Sequence, residues 1–222
     1  MRLIASLALV FPIPMGSALA AECQNVNFGE SQTYQTALAA KKAYFADDKG
    51  AATKSYVLKG DEVVVISQAA GKACVEFATP KAETWGWVSV SDLGPLRKPP
   101  SNVSDWKGKF QRDEMGSEIE LTPKKNGKVE ASGDAYWAMS AELAKTGALH
   151  DGSFGDVGEV KDGAAHIGSP QDGMDCSVDV RLLSSRYLVA GNQGVGMGDD
   201  DKASGCWGAN VTFEGLYVRV KK

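Results

Sequence analysis

The sequence has no basic surplus. Lys and Arg number 24 against 28 Asp and Glu, for a formal net charge of −4. General nucleic-acid binding needs a cationic footprint, so that class is set aside. The chain also has no apolar run of the ~20 residues that a membrane-spanning helix requires. A multi-pass membrane protein is thereby excluded, and 43% hydrophobic with 23% charged residues excludes a collagen or a disordered polymer. Histidine is scarce, with His150 and His166 the whole complement. None of the four cysteines sits in a C-x-x-C pair or at metal-ligand spacing from a histidine, so no metal site is expected. There is no G-x-S-x-G elbow for a nucleophilic serine and no dinucleotide fingerprint. The expectation is a protein that is not an enzyme and carries no cofactor.

Glycine is abundant instead, at 25 residues, and favours tight turns between short strands. The chain begins with Arg2, an apolar run from Leu3 to Phe11, the breakers Pro12, Pro14 and Gly16, and then Ala18-Leu19-Ala20. Charge, short apolar stretch and small-x-small site together read as a signal peptide over residues 1–20. The mature protein is then periplasmic or secreted, with no membrane span. Glu22 stands where a lipobox needs a small residue before Cys23, so lipid attachment is not expected. An even set of cysteines in an oxidising compartment suggests two disulfides. Of the three possible pairings, Cys23–Cys74 and Cys176–Cys206 keep each bridge within one half of the chain.

The chain divides at Arg97-Lys-Pro-Pro-Ser-Asn102, where two prolines stiffen the backbone. The expected organisation is a first unit over residues 21–98, a linker over 99–104 and a second unit over 105–222. The first half reads as strands at 42–46, 53–58, 62–66, 73–77 and 85–89, with turns at Lys59-Gly60-Asp61 and around Gly71. Tyr56, the turn Leu58-Lys59-Gly60-Asp61 before Val63, Cys74-Val75-Glu76-Phe77, Gly86-Trp87-Val88 and the closing Ser91-Asp92-Leu93 follow one another in an order that resembles the bacterial SH3-like domain. The resemblance spans about residues 42–96. It implies a small open barrel of about five strands and a binding module for cell-wall peptides or protein partners. Tyr44, Tyr56, Trp85 and Trp87 are the candidate ligand-binding residues. Aromatic rings offer large contact area at low entropic cost, and Trp85 and Trp87, two apart on a strand, share a face.

The second half is also β-rich. Glu118–Thr122 and Lys128–Ser132 alternate in polarity around Asn126-Gly127, a strong hairpin signal. Further strands are expected at 158–161, 164–167, 176–183, 186–190, 210–213 and 215–220, with a helical turn or two over Met139–Lys145. Near-regular spacing of short strands predicts an antiparallel meander or barrel, and the whole chain is expected to be all-β. Trp106-x-Gly108-x-Phe110 and Phe213-x-Gly215-x-Tyr217 loosely resemble small lipocalin-type barrels of exported bacterial proteins. His150-Asp151 is placed in a glycine-rich loop, and the stretch from Gly191 to Gly198 in a hairpin loop. Asp199-Asp-Asp201 lacks the spacing of a calcium loop and reads as a solvated or partner-facing acidic loop. Glu118 and Glu120 read as a solvated strand face. Asn102-Val-Ser104 and Asn210-Val-Thr212 match glycosylation sequons only by pattern. The leading expectation is an envelope binding protein whose partner is a cell-wall peptide or an envelope protein. The runner-up is an inhibitor of an envelope hydrolase such as a lysozyme, acting through loops of the second unit. Oligomeric state is not legible.

Overall fold

The structure is a computed structural model and describes residues 22–24, 34–112, 116–147, 149–168, 170–171, 174–175, 177–193 and 211–220. The expected signal segment, Cys176, Cys206 and Asp199–Asp201 lie outside the described residues.

Alternating side chains build the first sheet. Gln35–Leu38 (β1), Ala43–Ala46 (β2), Ala52–Val57 (β3), Glu62–Ala69 (β4), Lys72–Thr79 (β5) and Ala82–Ser89 (β6) pair in the order β1-β4-β5-β6-β2-β3. One face supplies Ala37, Phe45, Val57, Val63, Val65, Ala73, Val75 and Val88 to a single apolar cluster. All six strands meet at that cluster, so the sheet must curl around it. The sheet has one strand more than the resemblance implies. The extra strand, β1, runs against β4 in the register Ala37↔Val63. The β4–β5 turn is made by Ala70 (φ 49°) and Gly71 (φ 77°), the positive-φ pair that suits a two-residue hairpin.

After a 3₁₀ turn at Val103–Trp106, the second sheet runs through Gly108–Gln111 (β7), Glu118–Pro123 (β8) and Lys128–Trp137 (β9). A short helix, Ala141–Lys145 (α1), precedes His150–Lys161 (β10) and Ala164–Ile167 (β11). Pro170–Gln171 (β12) and Met174–Asp175 (β13) form a separate hairpin before Ser177–Leu182 (β14), Tyr187–Gln193 (β15) and Gly215–Arg219 (β16). Eight of these strands close a barrel in the order β10-β11-β14-β15-β16-β7-β8-β9. Every neighbour is antiparallel, so this is the expected meander. Asn126 (φ 61°) and Gly127 (φ 73°) make the β8–β9 turn. Side chains fill the interior: Trp106, Phe110, Ile119, Leu121, Ile167, Leu182, Leu188, Phe213 and Tyr217 belong to one buried cluster.

Three expectations are corrected. His150 and Asp151 lie in β10, paired with Trp137 and Tyr136, and not in a loop. Glycines at 152, 155 and 158 conceal the strand, yet Gly158 is there because a Cβ would sit 2.3 Å from the His166 carbonyl oxygen. Gly191 belongs to β15, which continues to Gln193. Val211–Phe213 is irregular, although Phe213 is fully buried.

The two sheets are packed together. Val64 and Ala78, on the outer face of the first sheet, join Tyr34, Leu183, Tyr187, Val189, Leu216 and Val218 in a third apolar cluster. The Tyr187 hydroxyl donates to the Glu62 carbonyl at 2.9 Å. The buried Glu62 carboxylate accepts from Arg97 at 3.0 Å and from the Ser184 hydroxyl at 3.1 Å. Strand β16 is thus apolar on both sides, with Tyr217 inside the barrel and Leu216 and Val218 against the first sheet.

Candidate ligand surface

Strand parity sends Tyr44, Tyr56, Trp85 and Trp87 to the outer face of the first sheet, opposite its core. That face has three zones. The barrel covers β4 and β5 at Val64 and Ala78. The N-terminal segment covers a second zone, held by the Cys23–Cys74 disulfide with its Cα atoms 5.3 Å apart. The third zone, over β2, β3 and part of β6, is left exposed by the described residues.

Trp87 belongs to the covered zone. It is only 7% exposed and packs with Cys23 and Cys74, with Ala46 and Ile66 alongside. Its indole N–H donates to Asp48 Oδ1 at 2.9 Å, and the Cys23 amide donates to the same oxygen at 2.7 Å. These donors, the Cys23 amide first and the indole second, hold the Asp48 carboxyl below the usual carboxylate range. Trp87 therefore anchors the N-terminal segment, and its ring is not presented to solvent.

Tyr44 and Tyr56 lie in the open zone. They are directly opposed on β2 and β3, with ring centroids 5.6 Å apart in an edge-to-face arrangement. They are 52% and 47% exposed. The Lys42 ammonium sits 4.0 Å from the Tyr56 centroid and 4.7 Å from that of Tyr44. A cation so placed is attracted by both ring quadrupoles. Hydrogen bonding to Tyr44 raises the Lys42 pKa, and desolvation opposes this only in part. Beside this pair, β3 carries three residues, 53–55, where β2 carries only Phe45. Such a bulge twists an edge strand and re-aims its side chains. Trp85 is 44% exposed on β6, opposite Glu76. The structure thus brings Tyr44 and Tyr56 together, leaves Trp85 exposed and assigns Trp87 to packing. Lys42 was not among the sequence candidates; its position two residues before Tyr44 on the same strand face is the signal that could have found it.

The barrel places the remaining candidates apart. His166 Nδ1 meets Asp179 Oδ1 at 2.8 Å on the outer wall, both half exposed. His150 stacks edge-on against Trp137 at 5.4 Å. Glu118 pairs with Lys109 at 2.6 Å. Among the described residues no group of three His, Cys, Asp or Glu is placed to hold a metal ion. No known family model, curated protein or solved structure matches the chain.

Proposed function

We propose that this is an exported, non-enzymatic binding protein whose first unit recognises a cell-envelope ligand, either a peptidoglycan peptide or a protein partner. The observation that carries the reading is the Tyr44–Tyr56 pair with Lys42 over both rings, exposed on a zone of the sheet that packing among the described residues leaves uncovered. Two rings supply apolar contact and the ammonium supplies a partner for carboxylates, which peptide stems carry. The Cys23–Cys74 bridge fits an oxidising compartment. Sedimentation of the full mature chain with purified peptidoglycan, at two salt concentrations, tests this. The intact protein is expected to co-sediment, and Tyr56→Ala to weaken binding at least about fivefold. Equal binding by Tyr56→Ala and wild type would overturn the role of the pair, and no binding would overturn the wall ligand.

The second reading is inhibition of an envelope hydrolase through the barrel's loops. A meander places its alternate connections at one end. Here the described part of the β9–β10 connection, which holds α1, lies at the end opposite the tight turns at 124–127, 162–163 and 183–186. Met139, in that connection, is 78% exposed. Absence of wall binding together with dose-dependent inhibition of a lysozyme would bring this reading forward.

A further inference from the structure

At the tight-turn end of the barrel a groove of ≈ 780 Å³ is lined by Lys107, Lys109, Glu120, Ser185, Arg186 and Arg219, among others. That size suits a small molecule. The charge balance within it is unusual for a chain of net charge −4. Arg219 donates to three backbone carbonyls, those of Ser185, Lys107 and Asp105, and its guanidinium lies 4.5 Å from the Phe110 centroid. Arg186 donates through Nη2 to the Ala78 carbonyl at 2.9 Å and lies 4.9 Å from the Phe77 centroid and 5.1 Å from that of Tyr187. Neither forms an ion pair with a described residue. Their partners are neutral carbonyls and ring faces, which orient a guanidinium without neutralising it.

Two further observations point the same way. The Arg186 Nε–H is fully buried and has no acceptor. A buried donor without a partner is costly, so this guanidinium is short of one acceptor among the described residues. Lys107, at the rim, is in no ion pair with a described residue, whereas Lys109 is neutralised by Glu118 at 2.6 Å. Glu120 is the one carboxylate among the lining residues. Desolvation lowers the Arg219 pKa, and the nearby Asp105 carboxylate opposes this only in part, in keeping with a cation partly withdrawn from water. Gly108 belongs to the same construction, because a Cβ there would meet the Arg219 guanidinium 2.1 Å away.

We propose that this groove binds a small oxyanion, a phosphate- or carboxylate-bearing molecule, with Arg186 and Arg219 as fixed charge anchors and Lys107 at the rim. A planar guanidinium already held by carbonyls and rings loses little freedom on meeting an oxyanion. This site is separate from the Tyr44–Tyr56 surface and does not depend on it.

The test is an NMR titration of the ¹⁵N-labelled full mature chain, following arginine Nε–H signals at constant ionic strength. The probes are inorganic phosphate and succinate, with chloride as the control. The Arg186 and Arg219 signals are expected to shift saturably with at least one probe and not with chloride. Response to phosphate alone assigns a phosphoryl ligand, and response to succinate alone assigns a carboxylate. Arg186→Gln should weaken binding at least about tenfold, and the surface change Lys107→Gln about two- to threefold. Should Arg186→Gln fail to fold, Lys107→Gln decides the matter. No saturable shift with either probe overturns the proposal. So does an affinity that neither variant changes.

Discussion

Replacing Tyr187 by Phe removes one oxygen and keeps the ring in place. That oxygen stands at the junction of the two sheets. It donates to the Glu62 carbonyl at 2.9 Å and lies 3.4 Å from the Ala78 amide and 3.3 Å from its carbonyl. Without it those buried groups lose a partner, and a loss of about 1–2 kcal/mol is expected near neutral pH. The pH dependence adds a signed prediction. Burial pushes the Tyr187 pKa from 10.0 up to about 12, against the smaller opposing effects of Arg186 and the Ala78 hydrogen bond. A pKa that is higher in the folded state stabilises fully below the unfolded value and is lost as pH climbs to the folded value. The window is therefore pH 10 to about 12. Each pH unit inside it removes about 1.4 kcal/mol from the wild type relative to the Phe variant. An offset of about 1–2 kcal/mol then vanishes near pH 11, and the two stability curves cross. Urea unfolding of both proteins, from neutral pH to about pH 11.5, measures this. An offset that stays constant across the window would refute the burial of an un-ionised Tyr187 at the junction.

Two more perturbations test the scaffold. Cys23→Ala with Cys74→Ala opens a bridge spanning 51 residues, and roughly 4 kcal/mol of stability should be lost. Trp87 emission should shift to the red as the N-terminal segment leaves its indole, and unchanged emission would contradict the covering role. Gly158→Ala places a Cβ 2.3 Å from the His166 carbonyl oxygen, whereas at Gly155 the nearest atom would be Ser132 Cβ at 3.8 Å. Thermal unfolding should show a loss of about 1–3 kcal/mol for Gly158→Ala and little change for Gly155→Ala. Equal effects would mean that β10 and β11 do not meet closely there.

Period-two patterning carried most of the fold into view. Ala164–Ile167 is a strand with the bounds its alternation predicts, and Glu118–Pro123 and Lys128–Trp137 extend the predicted hairpin around Asn126-Gly127. Failures came where alternation is interrupted or absent. Gln35–Leu38 has four residues and no flanking turn pair, so its pairing with β4 is a tertiary event. The N-terminal part of β10 is mostly glycine and polar residues, so Phe154 alone, packed against the barrel core and edge-on to Phe213, marks its inner face there, too little to reveal an alternation. The contact between the sheets was legible in principle. Val63, Val64 and Val65 are all buried, Val63 and Val65 in the core of the first sheet and Val64 against the barrel. A continuous apolar run signals burial on both faces. The aromatic site was half legible. Parity correctly places Trp85 and Trp87 on one face, but parity cannot tell that the segment tethered through Cys23 lies over one ring and leaves the other exposed.

The division of the outer face of the first sheet bears on how its binding must be assayed. Val64 and Ala78 are sealed by Leu216, Val218 and Tyr187 of the barrel, and Trp87 is sealed by the tethered N-terminal segment. Cutting the chain near residue 100 would uncover the first set, and reducing the disulfide would free the cover of the second. Either treatment creates a new apolar patch beside the Tyr44–Tyr56 pair, and exposed apolar patches bind indiscriminately. A fragment that sediments with cell wall would therefore say little about the pair itself. The full oxidised chain keeps both zones covered. In it, a loss of binding on Tyr56→Ala reports on the tyrosine pair and on the Lys42 ammonium that Tyr56 helps to hold, 4.0 Å from its ring centroid.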